Sequence, residues 1–426
     1  MAAITDGSPE SAAQTAAQLA LGSTPELFAP QRMTTRARWF RDAADERLVA
    51  VMDPGAGLAA ADEVLAYGLA WQGDRDLLLV LPESLVSTTL VRLPWIGTEV
   101  RVWNWDGTPS LHPVPLPTRL GVLGVMGEYP PRRTGQHLLT PEQHEWIAGI
   151  DTGALTERHR PSYLAWHLDG LQVLKVARAR GGRLRVQAGV QYSKPVPGRD
   201  VFDAVIAGPL TPEQRATIQD RIDDAIADGG SRTSQMREHR LQHHFDRDGG
   251  GVLGLDVLLR EYPGYRGPGL ADPGTSGPGR RGFIDFLGMD GAGRLHVVET
   301  KIGHDPTVLL QALDYAIWVE ANQRAVVATS TRLSGAARTS PVPIHLVLAP
   351  GDGQPAFNTY LAGQIEALAG DIPVRVHLVP DLKDPLAIQP LTREDMWTAQ
   401  DGLVAAPATG RRWPGRITDG LIQGRA

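Results

Sequence analysis

The sequence predicts an α/β protein that contains more than one domain. Short apolar runs typical of strands alternate with segments of helical spacing, and glycine-rich turns separate them. The 426 residues exceed the length of one ordinary hydrophobic core. Hydrophobic residues form 42% of the chain and charged residues 21%, a composition that is typical of globular proteins and far from that of disordered chains.

Composition also excludes several classes of site. The chain has no cysteine, which excludes disulfides, thiolate metal sites and a cysteine nucleophile. The formal net charge is -6, so a nucleic-acid partner would have to be held by a local basic surface or a metal ion. We find no signal-peptide pattern and no run of eighteen apolar residues, and therefore expect a soluble cytoplasmic protein without membrane contact.

The first half of the chain predicts a tail and a small α/β domain. Residues 1–30 are rich in Ala, Ser, Thr and Gln and are predicted to form a flexible tail or a weak helix. Residues 31–135 contain the strand-like runs RLVAVMD, DLLLVLP and EVRVWNW and the helical run AAADEVLAYGLAW. No motif shows the role of this domain, and a regulatory small ligand or partner protein bound there is one interpretation.

The rest of the chain predicts three further segments. Residues 136–230 form a middle region, with a helix, a Gly-Gly turn and a strand between 161 and 192 and an exposed helix at 211–228. Residues 231–390 predict an ordered C-terminal domain, in which PIHLVLAP and PVRVHLVP are strands and NTYLAGQIEALAG is a helix. Residues 391–426 are predicted to be a C-terminal tail.

Charged residues interrupt two apolar strands of the C-terminal domain. GFIDFLGMD and RLHVVETKIG flank a short Gly-Ala-Gly turn, which predicts an antiparallel hairpin. If the turn is centred on Ala292, Asp285 and Glu299 are cross-strand neighbours on one face. Lys301 emerges on that face as well, whereas Thr300 points to the other.

Two opposed carboxylates in a sheet favour a bound cation. Their repulsion is relieved by a divalent ion, and oxygen ligands suit Mg²⁺ or Mn²⁺. The metal ligands we predict are Asp285, Glu299 and the backbone carbonyl of Thr300. A solvated cluster of charges on a sheet surface is the alternative interpretation.

The segment after the hairpin is predicted to form a helix that faces Asp285 and Glu299. Asp305 and Pro306 have the residue types of a helix N-cap and first turn. The following run TVLLQALDYAIWVEA has a buried apolar stripe, while Gln311 and Tyr315 are four residues apart on another face. That face can turn back towards the carboxylates.

Asp285, the Glu299-Thr300-Lys301 triplet and the Gln311/Tyr315 helix together resemble the motif of the PD-(D/E)XK nuclease superfamily. The closest resemblance is to its RecB-like and mismatch-type endonuclease branches. Ile284 stands where the family often has proline. The resemblance covers about residues 231–380 and implies a restriction-endonuclease-like mixed sheet flanked by helices; the first half of the chain resembles no family that we can name.

The resemblance implies Mg²⁺- or Mn²⁺-dependent hydrolysis of phosphodiester bonds in DNA. Lys301 would orient the attacking water or stabilise charge on the phosphate, Gln311 would position Lys301 or the water, and Tyr315 would touch the phosphate or pack. Glu238 is the candidate for an acidic residue that the family often has on the preceding helix. Arg266, Arg280 and Arg281 lie in the Gly- and Pro-rich stretch at 261–282; they either contact phosphates beside the site or keep a disordered insertion soluble.

The biological setting and a second function class stay open at this point. DNA repair and genome defence both fit a nuclease with an additional domain, and cutting both strands of a duplex would favour a homodimer. The alternative is a non-catalytic nucleic-acid- or partner-binding protein that retains the fold.

Overall fold

The described residues form three β-sheets flanked by α-helices, which confirms the predicted α/β class. The computed structural model describes residues 9–28, 36–108, 110–131, 139–159, 163–168, 170–190, 201–227, 234–267, 281–351, 356–357, 359–392 and 395–396. Most of the segment predicted as a C-terminal tail lies outside these residues. No helix within the described ranges has both the length and the apolar character needed to cross a membrane.

The chain divides into two compact units. The first comprises Met1–Pro130, Gly254–Asp381 and Ala387–Ala426, and the second comprises Pro131–Leu253 and Leu382–Leu386. Both the predicted N-terminal α/β domain and most of the predicted nuclease-like domain therefore contribute residues to the first unit.

The first sheet belongs to the first unit and has the strand order β1-β2-β3-β4-β5-β6. Its three central strands are parallel, and the strands beside them are antiparallel. The elements are β1 (Glu26–Leu27), β2 (Ala37–Arg41), β3 (Arg47–Met52), β4 (Asp76–Leu81), β5 (Val100–Asn104) and β6 (His112–Val114), with helices α1 (Pro9–Leu21), α2 (Leu58–Gln72), α3 (Glu83–Leu90) and α4 (Arg119–Met126). Strands β3 and β4 are buried on both faces, as expected for parallel strands covered by helices.

Of the two predictions for residues 1–30, a flexible tail or a weak helix, the helix is the one that the described part of the segment shows. Helix α1 covers Pro9–Leu21 and packs with the side chains of β3 and β4. Ala13, Ala16, Ala17 and Ala20 recur at helical spacing and are all buried. Their small side chains form an apolar face that the compositional argument did not recognise.

The second unit contains an antiparallel sheet with the order β11-β10-β9-β8-β7. Its elements are α5 (Pro141–Trp146), β7 (Thr156–His159), β8 (Tyr163–Leu168), β9 (Leu171–Arg178), β10 (Leu184–Ala188), β11 (Phe202–Ile206), α6 (Pro212–Ala227) and α7 (Ser234–Leu253). Helix α6 confirms the predicted helix at 211–228. Thr211 and Gln214 cap its first turn through reciprocal side-chain-to-backbone hydrogen bonds.

The predicted helix between 161 and 192 is wrong, because β8 and β9 form a hairpin there. Gly170 has φ 86°, a left-handed conformation that breaks a helix and permits a tight turn. Burial along β9 alternates over most of its length, as in a half-buried strand. The apolar residues of this segment fit both periods, and the glycine was the signal that favoured strands.

The third sheet belongs to the first unit and has the order β12-β13-β14-β15-β16-β17. Strands β14, β15 and β16 are parallel, and the other neighbours are antiparallel. The elements are β12 (Val257–Tyr265), β13 (Arg281–Met289), β14 (Leu295–Ile302), α8 (Val308–Val327), β15 (Ile344–Ala349), α9 (Thr359–Ala367), β16 (Val374–Leu378) and β17 (Gln389–Leu391). The predicted hairpin, the following helix and the two later strands are confirmed.

The hairpin has the predicted register but the next helix starts later than predicted. Phe286 pairs with Val298, which centres the turn on Ala292. Helix α8 begins at Val308 with Thr307 at its N-cap position. The predicted cap, Asp305, instead accepts hydrogen bonds from the backbone N–H and the hydroxyl of Thr307, each at 2.8 Å, and so closes a turn before the helix.

Candidate active site

The site lies where strands β13 and β14 separate. Their regular pairing runs from Met289 and Leu295 to Phe286 and Val298, one position short of Asp285 and Glu299. Side chains then replace the backbone ladder. The Asp285 N–H faces Glu299 Oε1 at 3.4 Å, and the Thr300 N–H donates to Asp285 Oδ2 at 2.8 Å. The two carboxylates are thus fixed at the open end of the hairpin.

Asp285 is oriented by Thr300. The Thr300 hydroxyl donates to Asp285 Oδ2 at 2.7 Å, in addition to the backbone N–H. The prediction that the Thr300 side chain points away from this site is therefore wrong. Beyond the last regular pair, the Asp285 carboxylate reaches the edge of β14, where both the backbone and the hydroxyl of Thr300 are accessible to it.

Glu299 is oriented by helix α8. Its side chain is nearly completely buried, with 2% of the residue exposed, and Gln311 Nε2 donates to Glu299 Oε2 at 3.0 Å. The predicted helix face therefore does meet the carboxylates. Because Gln311 lies in the first turn of α8, the packing of this helix sets the position of the Glu299 carboxylate.

The two carboxylates resist ionisation in the folded protein. Burial raises the pKa of Glu299 well above its usual value, and the negative charge of Asp285 adds to this effect. Burial also raises the pKa of Asp285, opposed by the hydrogen bonds from Thr300 and by the charges of Lys301 and Arg260. An added cation would stabilise the ionised form of this pair, in which Glu299 is buried and Asp285 partly buried.

Lys301 supplies positive charge at the same place. Its ammonium lies 3.6 Å from Asp305 Oδ2, with 30% of the side chain exposed, and its charge favours ionisation of both Asp285 and Glu299. It also lines a small cleft whose other walls include His304, Phe357 and Gln364. Lys301 is therefore close to the carboxylates and accessible from one side.

Tyr315 packs against the beginning of β13. The residue is 2% exposed, and a Cβ atom at Gly282 would lie 2.1 Å from the Tyr315 hydroxyl. Burial raises the pKa of Tyr315, and the Glu299 charge adds to the rise. Of the two predicted roles for Tyr315, packing is the one that these contacts support.

The remaining predicted site residues lie in different surroundings. Arg266 forms ion pairs with Asp62 and Asp314. Arg281 is partly buried at the start of β13, and Arg280 lies outside the described residues. Glu238 is on α7 in the second unit, so its predicted catalytic role stays a prediction.

Sequence reasoning missed a set of buried charged residues near the site. Arg260 on β12 is 7% exposed and favours ionisation of Asp285. Arg92 and Asp314 are each 1% exposed and form an ion pair. The available signal was the one that revealed Asp285: a charge inside an apolar run, as in VLLREY, LVRLPW and LLQALDYAIW.

The residues present fit a hard cation. Carboxylate and backbone carbonyl oxygens are the ligands that Mg²⁺ accepts, and positive charge would offset the raised pKa values of Asp285 and Glu299. In the described part of the chain, no group of three or more His, Asp or Glu side chains is arranged to hold a metal ion. A cation here would be bound by two carboxylates, with the Thr300 carbonyl and water completing its coordination.

Comparison with known proteins identified no relative of this chain. No protein-family model, no curated protein and no solved structure matches the chain. The functional argument therefore rests on the geometry of the site.

Proposed function

We propose that the protein is a metal-dependent nuclease that hydrolyses phosphodiester bonds in DNA. The observation that supports this proposal is the convergence of Asp285, Glu299 and Lys301 where β13 and β14 separate, with Gln311 bonded to Glu299. A buried and a partly buried carboxylate placed together have no evident structural purpose here, since like charges directly opposite one another in a sheet are destabilising.

Asp285, Glu299 and the Thr300 carbonyl would hold Mg²⁺ or Mn²⁺. When bound, such an ion polarises a phosphate oxygen and lowers the pKa of a coordinated water. Thr300 contributes to this site by fixing Asp285 Oδ2, and Gln311 contributes by fixing Glu299 Oε2. These hydrogen bonds leave the carboxylates little freedom to rotate, which preorganises the ligand set.

Lys301 would act on the substrate itself. Its ammonium carries three donors on a flexible stem, so it can bind a phosphate oxygen or orient the attacking water. Asp305 Oδ2 lies 3.6 Å from the ammonium, and 30% of the Lys301 side chain is exposed. Charge that develops on the phosphate in the transition state is stabilised by this group.

The substrate that we propose is DNA. The cleavage test below compares different forms of DNA. Arg281, which is partly exposed at the start of β13, would contact a neighbouring phosphate. A cytoplasmic role in DNA repair or genome defence is consistent with this chemistry. Cleavage of both strands would require two sites, which a homodimer supplies.

The test is cleavage of plasmid, linear and single-stranded DNA in Mg²⁺, Mn²⁺ or EDTA. We expect metal-dependent cleavage, with a loss of about a hundredfold or more in Asp285→Asn, Glu299→Gln and Lys301→Met. Asp371→Asn is the matched control, because Asp371 pairs with Arg119 on the surface of the same unit. Unchanged cleavage in all three site variants would refute the proposal.

A binding protein that retains this fold is the alternative. It would bind DNA or another partner equally well in Mg²⁺ and in EDTA. Calorimetric titration with Mn²⁺ separates the two functions, because the nuclease binds the ion through Asp285 and Glu299 and the binding protein has no need of it. Binding of DNA without any cleavage or any heat from Mn²⁺ would favour the alternative.

A further inference from the structure

A second group of charged side chains is buried in the first unit, and the proposed chemistry does not use it. Arg92 lies just after α3 and is 1% exposed. Its Nε and Nη2 donate to the two carboxylate oxygens of Asp314 on α8, at 2.6 and 2.7 Å, and its Nη1 donates to Asp62 on α2 at 2.7 Å. We call Asp62, Arg92, Arg266 and Asp314 the arginine–aspartate cluster.

Arg266 completes the charge balance of the cluster. Its Nε lies 3.2 Å from Asp314 Oδ2, and its Nη2 lies 3.4 Å from Asp62 Oδ2. Two guanidinium groups thus meet two carboxylates. The charge of Arg266 also acts on Glu299 and Tyr315, so the cluster adjoins the candidate active site.

Stability alone does not account for this arrangement. Removing four charges from water costs several kcal/mol per ion, and apolar side chains of similar volume often give an equally stable or more stable core. Apolar side chains cannot form the two-point bond between a planar guanidinium and a carboxylate. This bond fixes the orientation of the two groups as well as the distance between them.

The orientation that is fixed here is that of helix α8. Gln311 and Asp314 are three residues apart and therefore neighbours on the helix surface. Gln311 donates to Glu299, while Asp314 is held at both oxygens by Arg92. A rotation of α8 about its axis would break the Arg92 bonds and move Gln311 away from Glu299 together.

We infer that Arg92 and Asp62 are positioning residues for the candidate active site. Arg92 fixes α8 through Asp314 so that Gln311 meets Glu299, and Asp62 fixes Arg92 from the other side. This inference rests on the proposed function. In this interpretation, the helices of the first sheet support the Gln311–Glu299 hydrogen bond and so influence the chemistry indirectly.

The experiment compares cleavage kinetics of the full-length chain and three variants. Arg92→Lys removes the two-point bond, and Asp62→Asn weakens the second support while retaining the bond to Asp314. Arg47→Lys is the control, because the Nε of Arg47 on β3 donates to the buried Asp42 at 2.9 Å and this ion pair does not involve α8. Circular dichroism first establishes a temperature at which each variant is folded.

We expect kcat to fall by about tenfold to a hundredfold in Arg92→Lys and by less in Asp62→Asn, with KM nearly unchanged. Arg47→Lys should lower thermal stability and leave kcat unchanged. In a Gln311→Ala background, Arg92→Lys should cause no further loss of kcat, because the bond that it positions is already absent. Equal losses in both backgrounds, or a kcat like that of the control, would overturn the inference while leaving the nuclease proposal intact.

A second readout does not require activity. The side-chain amide resonance of Gln311, identified by its disappearance in Gln311→Ala, reports the bond to Glu299 directly. We expect it to shift in Arg92→Lys and in Asp62→Asn and to stay in place in Arg47→Lys. If the wild-type protein neither cleaves DNA nor binds Mn²⁺, the proposed function fails, and this resonance still decides the positioning: an unshifted resonance overturns it.

Discussion

Glu299 is the residue at which stability and the proposed chemistry conflict. Its carboxyl group is buried beside Asp285, and both burial and the neighbouring charge raise its pKa. The pKa of Glu299 in the folded protein lies above its ordinary value of 4.5. Glu299 therefore stabilises the metal-free protein fully only when the pH is below 4.5. The stabilisation is lost as the pH rises through the folded-state pKa, so the ionised group is a cost at neutral pH.

Replacing Glu299 by glutamine should therefore stabilise the protein in EDTA at neutral pH. Glutamine has nearly the same shape and carries no charge, and we expect a gain on the order of 2 kcal/mol, or roughly 3 °C in the unfolding midpoint for a unit of this size. Differential scanning calorimetry in EDTA and in Mn²⁺ provides the measurement. Mn²⁺ should raise the midpoint of the wild-type protein and leave that of Glu299→Gln unchanged; a destabilised variant in EDTA would contradict the argument.

Thr300 should set the acidic limit of activity through Asp285. Thr300→Val keeps the β-branched shape but removes the hydroxyl donor to Asp285 Oδ2, which favours the ionised form. The pKa of Asp285 should rise further, so the acidic limb of the pH–rate profile should move to higher pH. Stability should fall by about 1 kcal/mol. Thr300→Ser keeps the donor, and a profile shifted equally in Ser and Val would point to packing instead.

The sequence predicts the local contacts of the site and not the distant ones. The pairing of Asp285 with Glu299 follows from the two-residue period of strands and from the turn at Ala292. The Asp285–Thr300 contact depends on where two strands separate, which no local pattern specifies. Arg92 and Asp314 are 222 residues apart, and only the tertiary fold brings them together.

At the scale of elements, a row of imidazoles crosses the parallel strands of the third sheet. His296 on β14, His345 on β15 and His377 on β16 are buried, with His296 Nδ1 3.0 Å from His345 Nε2 and His345 Nδ1 3.1 Å from His377 Nε2. Asp290 Oδ2 lies 3.2 Å from His296 Nε2 at one end. The Asp290 carboxylate can only accept a hydrogen bond, so His296 Nε2 must carry the proton that it donates. By the same reasoning along the row, His345 and His377 also carry their protons on Nε2.

This row should make the protein sensitive to mild acid. Burial, together with the charge of Arg375, lowers the pKa of all three histidines, and that of His377 falls to about 4. The other charged groups facing the row are Asp290, which favours protonation of His296, and Arg294, which opposes it. Below about pH 6.5 the unfolded chain binds protons that the folded protein does not, so stability falls as the pH falls.

We expect His377 alone to contribute a loss on the order of 3 kcal/mol between neutral pH and pH 4. Urea unfolding at a series of pH values gives the slope directly. His377→Gln should show a shallower decline than the wild-type protein. Equal stability at pH 7 and pH 5 would refute the expected sensitivity.

Most elements can also be predicted from the spacing of their apolar residues, and the two errors have different causes. The helix α2 and strands β3, β4 and β5 were evident from their apolar runs. The hairpin of β8 and β9 was mistaken for a helix because short apolar segments fit both periods, and the alanines of α1 were too small to register as an apolar face.

At the scale of the whole molecule, the first unit is assembled from distant parts of the chain. Leu310 on α8 and Ala367 on α9 belong to the apolar core around α2 and the first sheet. Trp95 and Met126, from the N-terminal part, belong to the core around α8 and the third sheet. Composition predicted separate domains, because a shared core leaves no mark in local sequence.

A fragment of residues 1–130 should therefore not fold alone. It would expose the apolar residues that pack on α8 and α9, and Arg92 and Asp62 would lack Asp314 and Arg266. We expect poor dispersion in a ¹H–¹⁵N spectrum and rapid proteolysis. Co-expression with residues 254–426 should restore a folded complex, whereas a dispersed spectrum from the isolated fragment would show that the first sheet is independent.

The bond between Arg92 and Asp314 also has a consequence for synthesis on the ribosome. The 222 residues between them take roughly 10–45 s to translate at about 5–20 residues per second. During that interval Arg92 has Asp62 but lacks Asp314, and the nascent N-terminal segment carries an apolar surface whose partners on α8 and α9 do not yet exist. It should depend on chaperones that shield nascent chains, and should aggregate when translation stalls before α8 emerges.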